Sequence, residues 1–101
     1  MEHHVYFWLK DERKDADSRA QFEAGLDNLL TSKTIESATW GRPAKTAARS
    51  GVTDHSWDYG LSATFASMED HDEYQGDDPE HTQFIESFKD WWSNVEVKDL
   101  G

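Results

Sequence analysis

The sequence contains no cysteine, so disulfide crosslinks, thiolate nucleophiles and cysteine-ligated metals are all excluded. It is also short of basic residues. Ten Lys and Arg stand against 21 Asp and Glu, a formal net charge of −11, and no Lys/Arg cluster offsets it locally. A surface of that sign repels phosphate backbones, which argues against nucleic acid and anionic membranes as partners. No apolar run is long enough to span a bilayer. The opening Met1-Glu2-His3-His4-Val5 lacks the basic-then-apolar layout of a signal peptide. A cytoplasmic location is therefore expected. Neither a Gly-rich phosphate loop nor a serine-hydrolase elbow is present, so nucleotide-dependent and triad chemistry are not expected. No cofactor is predicted.

Aliphatic material is scarce as well. Apolar residues make up only 36% of the chain, yet 13% are aromatic, five of them Trp. Disordered chains are poor in aromatics, so this chain is expected to fold, with rings supplying much of the burial. At 101 residues it has material for one core, a single domain over residues 1–101.

Residues 3–10 (HHVYFWLK) read as a strand. Val5, Phe7 and Leu9 point one way, Tyr6 and Trp8 the other, so both faces demand cover. From about Ser18 a helix follows, carrying Phe22, Leu26, Leu29 and Leu30 at helical spacing, with Asp15, Asp17 or Ser18 as its cap. Gly25 inside it signals close packing or a weak spot. Residues 34–40 (TIESATW) form a second strand, and 44–55 a long exposed loop containing Lys45 and Arg49.

Residues 57–65 (WDYGLSATF) alternate cleanly, placing Trp57, Tyr59, Leu61, Ala63 and Phe65 on one face. Ser67-Met68-Glu69-Asp70 reads as a helix start, with the helix ending near Gly76. Pro79 opens another helix, with Phe84, Ile85, Phe88, Trp91 and Trp92 as its apolar stripe. Residues 95–99 (VEVKD) close the chain as a strand.

The order is β-α-β-β-α-β, an α+β, ferredoxin-like arrangement: a four-stranded antiparallel sheet with helices on one face. The other sheet face is then bare, although the first strand is apolar on that side too. A two-fold homodimer that stacks the bare faces, a dimeric α/β barrel, is the economical solution.

Three stretches resemble the Dabb family, the stress-responsive dimeric α/β-barrel domains. They are the opening strand His3 to Lys10, the central strand Trp57 to Ser67, and the segment from Tyr74 through Pro79-Glu80-His81 into Phe84 and Val95 to Asp99. Together they span nearly the whole chain in order. The resemblance implies a ferredoxin-like protomer that pairs with its mate. Plant members include a polyketide cyclase that uses a His and a Tyr near the start of the last helix. By position these would be His81 and Tyr74, while the opening-strand His would be His3, or else His4. The chain departs from the family pattern twice: the Tyr-to-His segment is one residue longer, and Asp78 replaces the first His of a His-Pro-x-His run.

A neutral imidazole suits proton transfer near pH 7. His81 near a helix start feels a positive end that favours the neutral form, while Asp77, Asp78 and Glu80 push the other way. His81 and Tyr74 are thus candidate catalytic residues; the alternative is a surface His beside a packing Tyr. The candidate ligand-binding set is His3, Val5, Phe7, Leu61, Ala63, Trp92 and Val97, all on faces turned toward the helices. The acidic runs around His71 and His81 match no compact metal site: Gln75 stands where an EF-hand needs Gly, and His71 lacks a partner at helical spacing.

The leading expectation is a stress-responsive homodimer that binds a small apolar or aromatic molecule, with cofactor-free, cyclase-like acid–base chemistry at His81. The rivals are a non-catalytic stress-associated dimer acting through protein partners, and a heme-handling or cofactor-free monooxygenase of the dimeric barrel type.

Overall fold

The computed structural model describes residues 1–101. Four strands, β1 (Glu2–Leu9), β2 (Ser37–Gly41), β3 (Tyr59–Thr64) and β4 (Trp92–Leu100), form one sheet in the order β2-β3-β1-β4. Every pairing is antiparallel. The strand with two apolar faces, β1, takes a central position. Three helices, α1 (Ala16–Leu29), α2 (Met68–Gly76) and α3 (Pro79–Phe88), complete the ferredoxin-like fold, with α2 and α3 together filling its second helical slot.

The helix starts are set locally. Asp15, Ser67 and Asp78 each cap a helix by accepting a backbone N–H, from Ser18, Asp70 and Glu80 respectively, at 3.0–3.1 Å. The core is dominated by rings: Phe7, Phe22, Tyr59, Phe65, Tyr74, Phe84 and Phe88 are seven of its thirteen buried apolar residues. Phe22 is the hub, with Phe7, Tyr59, Phe84 and Phe88 at 5.1–5.5 Å between ring centroids. Gly25 answers to close packing: a β-carbon there would stand 2.3 Å from Cε2 of Phe88.

Three expectations are corrected. Trp57 does not share the face of Tyr59. It precedes β3, and its ring lies on the opposite sheet face, 5.3 Å from Tyr6. Asp58 causes the turn-over: its N–H bonds to the Phe7 carbonyl, and its carboxylate accepts from Leu9 N–H (2.8 Å) and Arg19 (3.0 Å). Trp91 and Trp92 are not on the last helix, which ends at Phe88; Trp92 opens β4. The second strand begins at Ser37, because Thr34 is engaged elsewhere, in a bond to Asp78.

His4, Tyr6 and Trp8 lie half-buried on the sheet face away from the helices, beside Trp57. On the edge strand β4, Val95, Val97 and Leu100 are exposed by 38%, 49% and 55%. No helix is long and apolar enough to cross a membrane.

Candidate functional site

The inner face of β1 presents His3, Val5, Phe7 and Leu9, all buried. Its register sets their neighbours: Val5 lies between Leu61 and Val97, and His3 between Ala63 and Asp99. Between this face and the helices is a cavity of about 170 Å³. His3, Val5 and Phe7 form its floor with Leu61 of β3 and Trp92, Val95 and Val97 of β4. Tyr74 and Gln75 of α2, His81, Phe84 and Ile85 of α3, and Leu29 of α1 close it.

Six of the seven residues expected to bind a ligand therefore meet at one cavity, together with His81 and Tyr74. Ala63 does not line it. It pairs with His3 across the strands and is buried in the core instead. Leu29, Gln75, Phe84, Ile85 and Val95 also line it, beyond the residues expected from the sequence. Val95 shares the inward face of β4 with Val97, as the two-residue period of a strand requires; Phe84 and Ile85 are indistinguishable in sequence from core residues.

The rings of Tyr74 and His81 lie 4.5 Å apart, tilted by 53°. Tyr74 is almost fully enclosed, and burial, helped by the negative charge of Asp78, pushes its pKa well above the ordinary phenol value. His81 is half-buried, and burial lowers its pKa. Asp78 opposes that shift, while His3 adds to it. Near pH 7 the pair is thus a neutral phenol donor beside a neutral imidazole acceptor.

Asp78 holds the start of α3 and with it His81. One carboxylate oxygen accepts from Glu80 N–H at 3.0 Å. The other is bound by Ser32 Oγ and by Thr34 Oγ1 (3.1 Å), from the turn after α1. Burial works to raise the Asp78 pKa, but the hydrogen bonds from Ser32, Glu80 and Thr34 outweigh it and keep the carboxylate charged. An Asp at this position therefore has a positioning task that a His would not perform in the same way.

Of the two opening histidines, His3 faces inward, with Nδ1 2.6 Å from Asp99 Oδ1. His4 lies on the other face, Nε2 3.6 Å from Glu2. A third imidazole, His71, is buried beside His3 at 5.1 Å between centroids. No spacing motif links the two, because His71 stands on α2 and His3 on β1, far apart along the chain.

Solved structures of similar fold include the Arabidopsis thaliana protein At3g17210, with a TM-score of 0.78, 22% identity, and coverage of 99% of this chain and 92% of that one. A dimeric ferredoxin-like protein of unknown function from Thermobifida fusca matches at 0.73 and 16%, covering 96% and 85%. A hydroxynitrile lyase from Passiflora edulis matches at 0.72 and 20%, covering 96% and 87%. No curated protein matches the chain. The model of the stress responsive A/B barrel domain, Dabb, matches residues 1–100. The chain belongs to the Dabb family.

Proposed function

We propose that this chain works as a homodimer of one domain per protomer and binds a small, mostly apolar molecule, about one aromatic ring in size, in the cavity beside His81. His81 serves there as general base and Tyr74 as hydrogen-bond donor. The observation that carries this reading is the cavity itself: about 170 Å³, lined mainly by apolar side chains, with its polar groups gathered around the Tyr74–His81 pair. An apolar cavity of about 150 Å³ is known to accept benzene, so one substituted ring fits and a porphyrin does not. That size favours the ligand reading over heme handling. A hydroxynitrile lyase shares the fold, so the scaffold hosts an enzyme in at least one relative.

Two features support the dimer. Tyr6, Trp8 and Trp57 are gathered on the sheet face that no helix covers. The edge strand β4 exposes Val95, Val97 and Leu100. Apolar surface of that kind is normally covered by a second copy or partner.

A native mass spectrum of gently purified protein tests both parts. The reading expects a dimer, and expects Leu61→Trp, which fills the cavity, to abolish any retained small mass. A monomer would overturn the assembly. A bound mass that survives Leu61→Trp in a folded dimer would place the ligand elsewhere.

A further inference from the structure

His71 lies on α2, 7% exposed. Its Nδ1 stands 3.2 Å from a carboxylate oxygen of Asp72. A proton shared there leaves the lone pair on Nε2. That Nε2 is fully enclosed and has no hydrogen-bond partner. Buried polar atoms are almost always paired, so an isolated one calls for a physical reason.

The surroundings supply it. The ligand-capable atoms of His3, His71 and Asp99, on β1, α2 and β4, all lie within 4.8 Å of one another. The Phe65 ring packs against both imidazoles, and Tyr74 against His3.

We propose that His3, His71 and Asp99 form a binding site for a divalent first-row transition ion of the zinc(II) type. Two imidazoles and a carboxylate are a donor set of borderline softness, suited to zinc(II) and poorly suited to magnesium or calcium, which take oxygen ligands. Asp72 then acts as the outer carboxylate that fixes the tautomer and orientation of His71. The 2.6 Å contact between His3 and Asp99 has to open for an ion to enter. The Asp99 side chain, 42% exposed near the end of an edge strand, has room to move. Three protein ligands leave a fourth position for water or another small donor. The strongly negative chain favours cation capture. This inference goes beyond the cavity reading and does not rest on it: the two share His3, but neither His71 nor Asp99 lines the cavity.

The test is titration of tag-free protein with cobalt(II), followed by visible absorption and then by displacement with zinc(II). One cobalt per chain is expected, with the intense bands of a low-coordinate site. His71→Gln and Asp99→Asn are each expected to weaken binding about tenfold or more. Because His71 is buried, the exposed Asp99→Asn serves as the variant least able to disturb folding, and circular dichroism checks both. In parallel, zinc(II) is expected to shift the Nε2 resonance of His71 in nitrogen NMR. Absence of a saturable cobalt spectrum overturns the proposal. So does a spectrum undiminished in folded His71→Gln and Asp99→Asn proteins, which would place the ion on exposed acids. An unmoved His71 Nε2 signal under saturating zinc also overturns it.

Discussion

Tyr74 and His81 face one another at 4.5 Å between ring centroids, one at the end of the cavity contributed by α2, the other at the start of α3. The pairing matters because their surroundings move the two pKa values apart: the phenol is pushed up and the imidazole down. Each is left neutral at physiological pH, one able to donate a proton in a hydrogen bond and the other to accept.

The first prediction concerns pH. His81 is expected to titrate below the ordinary histidine value of about 6.5 when followed by NMR, because burial disfavours its charged form. The unfolded chain then binds more protons than the folded one between the two values. Its contribution to stability is complete above the unfolded pKa and declines as pH falls toward the folded one. A His81→Gln protein is expected to lose that part of the pH dependence. A His81 pKa above the ordinary value would show that Asp78, not burial, governs the site.

Asp78 supplies the second. It is buried, caps α3, and ties Ser32 and Thr34 to the helix that presents His81. Asp78→Ala is expected to cost about 2–3 kcal/mol, a lost cap plus unpaired hydroxyls, read by urea denaturation at neutral pH. Its folded pKa is depressed, so the stabilisation is present above the unfolded carboxylate value and lost as pH falls through the folded one. The gap between wild type and variant should therefore narrow in acid. A gap that stays constant from neutral to strongly acidic pH would mean that the carboxylate charge has no part in it.

Gly25 gives the third. On helix propensity alone, Gly25→Ala would stabilise by about 1 kcal/mol. The Phe88 ring occupies the space of the new methyl, and it is itself packed by Phe22, Phe84 and Trp91. A net loss of about 1–2 kcal/mol is expected, and Phe88→Leu in the same chain should recover part of it. A stabilised Gly25→Ala protein would show that the ring yields freely.

The elements most legible in the sequence are those fixed by neighbours along the chain. Asp15, Ser67 and Asp78-Pro79 announce their helices because a cap acts over three residues. The two-faced pattern of β1 announces a central strand. Trp57 misleads because the alternation of β3 extends back to it in sequence, whereas Asp58 binds across to Leu9 and Arg19 and sends it to the other face. Trp91 and Trp92 continue a helical stripe on paper, and no Gly or Pro marks the switch to β4. The cavity was legible as a set of inward positions on strands, but not its helical walls. The company of His71 was not legible at all, since His3 and Asp99 lie far away along the chain.

The central claim is a ring-sized site beside His81. The most direct test is an NMR titration of the isotopically labelled protein with 4-methylphenol, a single ring with one polar group. The account predicts saturable shifts concentrated at Tyr74, His81 and the Trp92 indole, and their loss in folded Leu61→Trp protein. Shifts confined to Tyr6, Trp8 and Trp57 on the outer sheet face, or none at the cavity residues up to the solubility limit of the probe, would contradict it.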